Sequence, residues 1–177
     1  MKRYFILVLI FVVSNLYCQK QEKFKARINL EESNILPNIG SMESVLFVFT
    51  GDTHLINFYL DLTKHLKKRF KKSKTEIDFN YDLYSKKPLE ADLELIPSKK
   101  YDKSDYKLIC LVSLSEFKNW DNHLIENRKQ NYKLNIVINR DESNQMVGSA
   151  KFNVNSNYTI ATQNKNSSKL IFDLLNN

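Results

Sequence analysis

Val45-Leu46-Phe47-Val48-Phe49, followed by Thr50-Gly51-Asp52-Thr53, is the stretch on which the architecture turns. Five apolar residues without polar alternation describe a strand covered on both faces, because a strand with one wet face alternates. The residues that end the run also start a helix, with Asp52 or Thr53 as its N-cap. From Thr53 to about Lys72, Leu55, Tyr59, Leu62, Leu66 and Phe70 recur at helical spacing, with no Gly or Pro among them. Beyond that helix, Ile77, Phe79, Tyr81 and Leu83 alternate with Asp78, Asn80 and Asp82. Strand, helix, strand within about 40 residues is a βαβ unit, with a right-handed crossover expected.

Working outward, residues 84–105 are irregular, with Pro88 and Pro97, and Leu93 and Leu95 mark a candidate short element. Leu108 to Leu114 reads as a second buried strand. Ser113 and Glu116 match a capping box, and Phe117, Trp120 and Leu124 predict a helix reaching about Arg128. Tyr132, Leu134, Ile136 and Ile138, then Ala150, Phe152 and Val154, predict a hairpin across the polar turn 140–145. Tyr158, Ile160 and Thr162 suggest a last strand. Ser167 or Ser168 would cap a closing helix with Leu170, Ile171, Leu174 and Leu175 inward. Upstream, Phe24, Ala26, Ile28 and Leu30 alternate as a half-buried strand. The order implies an α/β chain: a single domain with a mixed sheet of about five to seven strands, built from two βαβ units plus a C-terminal hairpin and helix.

The amino terminus carries a different message. Met1-Lys2-Arg3 is basic, Tyr4 to Val13 is apolar, and Ser14-Asn15 breaks the run before Gln19-Lys20-Gln21-Glu22-Lys23. That order describes a secretory signal, since a membrane span needs about 20 apolar residues. The expected division is a signal peptide over 1–18, an N-terminal segment with a candidate edge strand over 19–43, and the α/β domain over 44–177. The chain would be exported across the inner membrane, to a periplasmic or secreted address. Cys18 resembles the lipid-attachment cysteine of bacterial lipoproteins, which would make the chain an outer-membrane lipoprotein. Tyr17, standing where a small residue is usual, favours ordinary cleavage with loss of Cys18.

Of 27 basic and 20 acidic residues, Lys2 and Arg3 leave with the signal, so the mature chain carries 25 against 20, a net +5. Such an excess biases the chain toward anionic partners. Cys110 sits in an apolar run, which predicts an inert buried thiol. The Lys- and Asn-rich composition resembles that of AT-rich bacterial genomes, and Gln19 at the mature start resembles exported proteins of the Bacteroidetes. The Val45–Phe49 strand with its long helix, the Leu108–Leu114 strand, the Tyr132–Val154 hairpin and the Leu170–Leu175 helix together resemble the amino-terminal domain of TolB and related envelope proteins. That resemblance implies a binding or assembly role without catalysis.

Candidate chemistry is sparse. Thr50-Gly51-Asp52-Thr53-His54 ends a buried strand, where open α/β sheets bind ligands. Asp52 and His54 are candidate catalytic residues, as a base and its orienter, while a capped turn uses the same residue types. His54, His65 and His123 show no metal-ligand spacing, so no metal or cofactor is expected. Three glycines leave no G-x-S-x-G elbow or phosphate loop. Glu90, Asp92 and Glu94 fit one solvated strand face as well as a glycosidase pair. Lys67, Lys68, Arg69, Lys71, Lys72 and Lys74 are candidates for an anionic lipid surface, or simply a solvated helix end that satisfies the dipole. Nucleic acid is not expected as a partner of an exported chain. Three functions follow: an exported binding or assembly module for an envelope protein or polymer, a small hydrolase centred on Asp52 and His54, and a membrane-surface module using the basic helix end.

Overall fold

The computed structural model describes residues 27–36, 42–118, 120, 129–140 and 145–176. Six strands form one mixed sheet. In chain order they are β1 (Arg27–Ile35), β2 (Ser44–Asp52), β3 (Glu76–Tyr84), β4 (Leu108–Lys118), β5 (Gln130–Arg140) and β6 (Gln145–Ser156). The helices are α1 (Ile56–Phe70), α2 (Glu90–Leu95) and α3 (Ile160–Asn176), and short 3-10 turns at Thr53–Leu55 and Lys103–Asp105 complete the order. Across the sheet the strands run β1-β6-β5-β4-β2-β3. β2 is parallel to both β3 and β4, while β4, β5, β6 and β1 pair antiparallel. The α/β class, the single mixed sheet and its strand number are as the patterning implies.

Val45 to Phe49 are essentially inaccessible to solvent, because β2 lies inside the sheet between β4 and β3 and both its faces are covered. On one face Val45, Phe47 and Phe49 meet α1 and α3. Phe47 stacks on Phe79 at 5.5 Å between ring centres, and Phe49 on Tyr59 at 4.8 Å. Such ring pairs add about 0.5–1.5 kcal/mol each beyond the apolar area they bury. On the other face Leu46 and Val48 meet Ile109, Tyr106, Leu111 and Tyr101 in a smaller cluster. The hydrophobic stripe that starts at Leu55 of the 3-10 turn and runs along α1 through Tyr59, Leu62, Leu66 and Phe70 enters the main core, as its spacing predicts.

Three local expectations differ. The helix expected after Ser113 does not start there, because β4 continues to Lys118 through a register shift between Ser115 and Lys118. Glu116, the expected capping-box acid, takes φ +53° at that irregularity. Leu124 and His123 lie outside the described residues. β4 and β5 are antiparallel neighbours, so their connection is no βαβ crossover. The second parallel crossover instead runs from β3 through α2 to β4, with β2 between them. Finally, no strand forms at 158–162. Thr159 accepts from the Thr162 N–H at 3.2 Å, and α3 begins at Ile160. Ser167 and Ser168 are therefore buried within the helix rather than capping it.

α1 and α3 lie side by side and run parallel. Asn164 donates to the Phe58 carbonyl and to Asp61, both at 3.0 Å, while Phe70 meets Phe172 about two to three turns further along. The buried side of α3 is unusually polar: Gln163, Asn164, Ser167 and Ser168 are all at most 1% exposed. The proposed secretory signal, Phe24 and Ala26 fall outside the described residues.

Candidate functional site

At the carboxyl end of β2, Gly51 takes φ +141°, a backbone shape that side chains oppose. A Cβ there would sit 3.2 Å from Leu55 Cδ1, so the position needs glycine. The Tyr59 hydroxyl donates to the Thr50 carbonyl at 2.8 Å and pins the turn to α1. Asp52 then caps the 3-10 turn, accepting from the His54 N–H at 3.2 Å. The same carboxylate oxygen meets His54 Nδ1 at 2.8 Å, with both side chains nearly half exposed. The hydrogen bond from His54 holds Asp52 below the usual carboxylate range. The expected pair is thus brought together, on a carboxylate already engaged by the backbone.

The other candidates separate. Glu90, Asp92 and Glu94 lie on the short helix α2 and not on a strand, so Glu90 and Glu94 share a side and Asp92 points elsewhere. His54 and His65 are far apart along the helical axis, and among the described residues no three potential metal ligands gather. Cys110 is fully buried, and that burial pushes its thiol up to about 12. Of the basic run, Lys67 lies over the Phe79 ring at 5.5 Å, and Lys71 and Lys74 are exposed. Lys68, Arg69 and Lys72 turn the other way, toward α3.

Patterning did not single out the open polar face of the sheet. Register puts Leu114, Leu134, Phe152 and Val154 on the core side, and it puts the intervening residues on an opposite, open face. One row across the strands reads Thr50, Ser113, Asn135, Lys151, Glu32; the next reads Ser115, Lys133, Asn153, Asn29. Every asparagine in the described strands lies on this face: Asn29, Asn34, Asn80, Asn131, Asn135, Asn139, Asn153 and Asn155. Asn135 donates to the Ser115 hydroxyl at 2.9 Å. Lys133 bridges Glu31 at 3.2 Å and Glu116 at 3.0 Å, and Lys151 meets Glu32 at 3.4 Å. A shallow depression of about 200 Å³ opens here among Glu116, Lys118, Asn131, Lys133, Asn153 and Asn155. Asn131 Oδ1 is buried and has no hydrogen-bond partner. The alternation that revealed β5 and β6 also carried this face, but it reads as ordinary solvation until the strands are set side by side.

No family model and no curated protein matches the chain. Solved structures do. The PelC dodecamer of Paraburkholderia phytofirmans superposes with a TM-score of 0.52 at 8% identity, over 85% of this chain and 97% of that one. The chain is similar in fold to PelC. A variant of the same PelC dodecamer aligns over the same shares at 6% identity with a TM-score of 0.49. A neuraminyllactose-binding hemagglutinin homologue from Helicobacter pylori aligns over 80% of this chain and 86% of its own at 8% identity, with a TM-score of 0.33. The last two carry no argument, and the PelC likeness speaks to fold alone. The resemblance to TolB expected from element order finds no support in these comparisons. Among the described residues no helix is long and apolar enough to cross a membrane.

Proposed function

We propose that the chain is an exported binding or assembly module of the bacterial envelope, which holds a protein or polymer partner on the open polar face of its sheet. The observation that carries this reading is the amide- and hydroxyl-lined face with an unpaired acceptor at its depression. Asparagine is depleted in strands because it packs poorly on a pleated surface. A chain that needed only solvation there would be served by threonine or lysine. Side-chain amides both donate and accept, which suits the hydroxyls and amides of a polymer or a polar protein surface. A buried acceptor left unpaired costs about 1–3 kcal/mol, a cost that a donor from a partner would remove.

The test is retention of the purified mature chain on cell-wall sacculi and on isolated envelope polysaccharide. Asn153→Arg and Asn155→Arg would cap the depression without touching the core. Retention that these variants abolish supports the reading, and equal retention overturns it. Intact mass of the exported protein checks the address: a start near Gln19 fits cleavage, and a lipid on Cys18 fits anchoring. PelC is a dodecamer, and native mass on the same sample separates assembly with its own copies from binding to another component.

The hydrolase reading keeps one supporting observation, the 2.8 Å contact of His54 with Asp52. Turnover of generic ester and glycoside substrates that Asp52→Ala abolishes would establish it in place of the binding reading.

A further inference from the structure

We propose that the cleft between α1 and α3 is a binding site for a phosphate-bearing group. It encloses about 570 Å³ and is lined by His65, Lys68, Arg69 and Lys72 from the α1 side and by Lys165 and Ser168 from α3. The α1 residues fall at i, i+3, i+4 and i+7, which stacks them on one stripe. The parallel run of the two helices brings Lys165 and Ser168 against that stripe. Four cations, three of them exposed lysines, therefore line a common volume to which no carboxylate contributes among the described residues.

That arrangement costs free energy, because like charges across a helix interface repel. The helix dipole accounts for the cations that end α1, but not for Lys165, the sixth residue of α3, where a cation gains nothing from the dipole. On the open sheet face, by contrast, Lys133 has Glu31 and Glu116, and Lys151 has Glu32. Among the described residues, Lys68, Arg69, Lys72 and Lys165 make no ion pair. Asp61, the acid of α1 beside the stripe, is already engaged, with Asn164 at 3.0 Å and His65 at 3.7 Å. An anion entering the cleft would therefore meet cations that no described acid already occupies.

The chemistry of the lining selects its class. Arg69 presents a planar fork that matches two oxygens of one group, and three lysines add point charges around it. A phosphate group offers three or more acceptor oxygens and up to about two negative charges, where a carboxylate offers two oxygens and one. The cleft has the volume of a small-molecule site, enough for the group and part of its carrier. It lies on the helical side of the sheet, away from the open polar face, so it stands independently of the function proposed above.

The phosphate has two natural carriers, a soluble or polymer-borne ester and a lipid headgroup. The experiment titrates the mature chain with glycerol phosphate, following amide shifts by NMR, and in parallel cosediments it with phosphatidylcholine vesicles with and without phosphatidylglycerol. Variants are Arg69→Ala with Lys165→Ala in the cleft, and Lys71→Ala with Lys74→Ala outside it, each checked for an unchanged melting transition. Saturable shifts at residues 65–72 and 165–168, weakened about tenfold or more by the cleft pair and not by the control pair, are expected. Vesicle binding with the same pattern assigns the group to a lipid, and its absence alongside soluble binding assigns it to a soluble or polymeric ester. No saturable shift together with no vesicle binding, or losses equal for both variant pairs, overturns the proposal.

Discussion

The Tyr106 hydroxyl donates to Asp78 Oδ2 at 2.8 Å and so ties the end of the long 85–107 connection to the edge strand β3. Tyr106 also lies against Leu46, Val48 and Ile109, so one residue closes the smaller hydrophobic cluster and satisfies the carboxylate beside it. Burial, together with the Asp78 carboxylate, pushes the phenol well above its ordinary value. Tyr106→Phe keeps the ring and deletes the bond. It is expected to cost about 1 kcal/mol of stability and to speed amide exchange at 101–107, as read by denaturant melts and hydrogen exchange. Unchanged exchange in that segment would show that the bond does not hold it.

The Asp52 cap should be visible in the acid limb of the stability curve. Its carboxyl is held low in the folded chain, so its contribution is present above about pH 4 and is lost as pH falls through the lowered value. Asp52→Ala is expected to destabilise by about 1 kcal/mol at pH 7, with the gap from wild type closing toward pH 3. Thermal melts across that range check it.

Asn164 joins the two helices by donating to the Phe58 carbonyl and to Asp61. In Asn164→Asp a second carboxylate replaces the donor and faces Asp61 inside the interface. A loss of about 3 kcal/mol is expected at neutral pH, because a buried charge is left facing a like charge. Stability should recover as pH falls toward 4, where one carboxyl takes a proton. A loss that does not vary with pH would mean that packing, not charge, is at stake.

Cys110 should be silent to thiol reagents in the folded chain. Its thiol, pushed up to about 12 by burial, carries negligible thiolate at neutral pH. In a Cys18→Ser background, modification is expected only after denaturant is added, at a rate that tracks global unfolding. Rapid labelling of the native protein would contradict the burial.

Much of the architecture can be read from residue order because its signals are strong and local. The unbroken apolar runs in β2 and β4 have no alternative as strands covered on both sides, and the alternation in β5 and β6 has the right period over its whole length. The failures share a physical cause. Ser113, Ser115 and Glu116 belong to the open sheet face, yet Ser with Glu three residues on also describes a helix start. α3 hides its beginning because Gln163, Asn164, Ser167 and Ser168 form its buried side; an interface made of amides and hydroxyls leaves no apolar stripe to find. Lys165 was missed with it, and so was the cleft. The Asp52–His54 pair was visible because both residues lie in one turn. The polar sheet face was not, because it draws on strands more than a hundred residues apart.

That distance has a consequence for how the chain comes into being. β1 pairs along its length with β6, Arg27 opposite Asn155. Of the described strands, the earliest to be synthesised therefore waits for the latest, and β1 pairs with no other described strand until β6 arrives. Closing so wide a loop is slow, and an idle strand is a liability for aggregation. The nascent polypeptide is best kept extended or escorted until β6 is available.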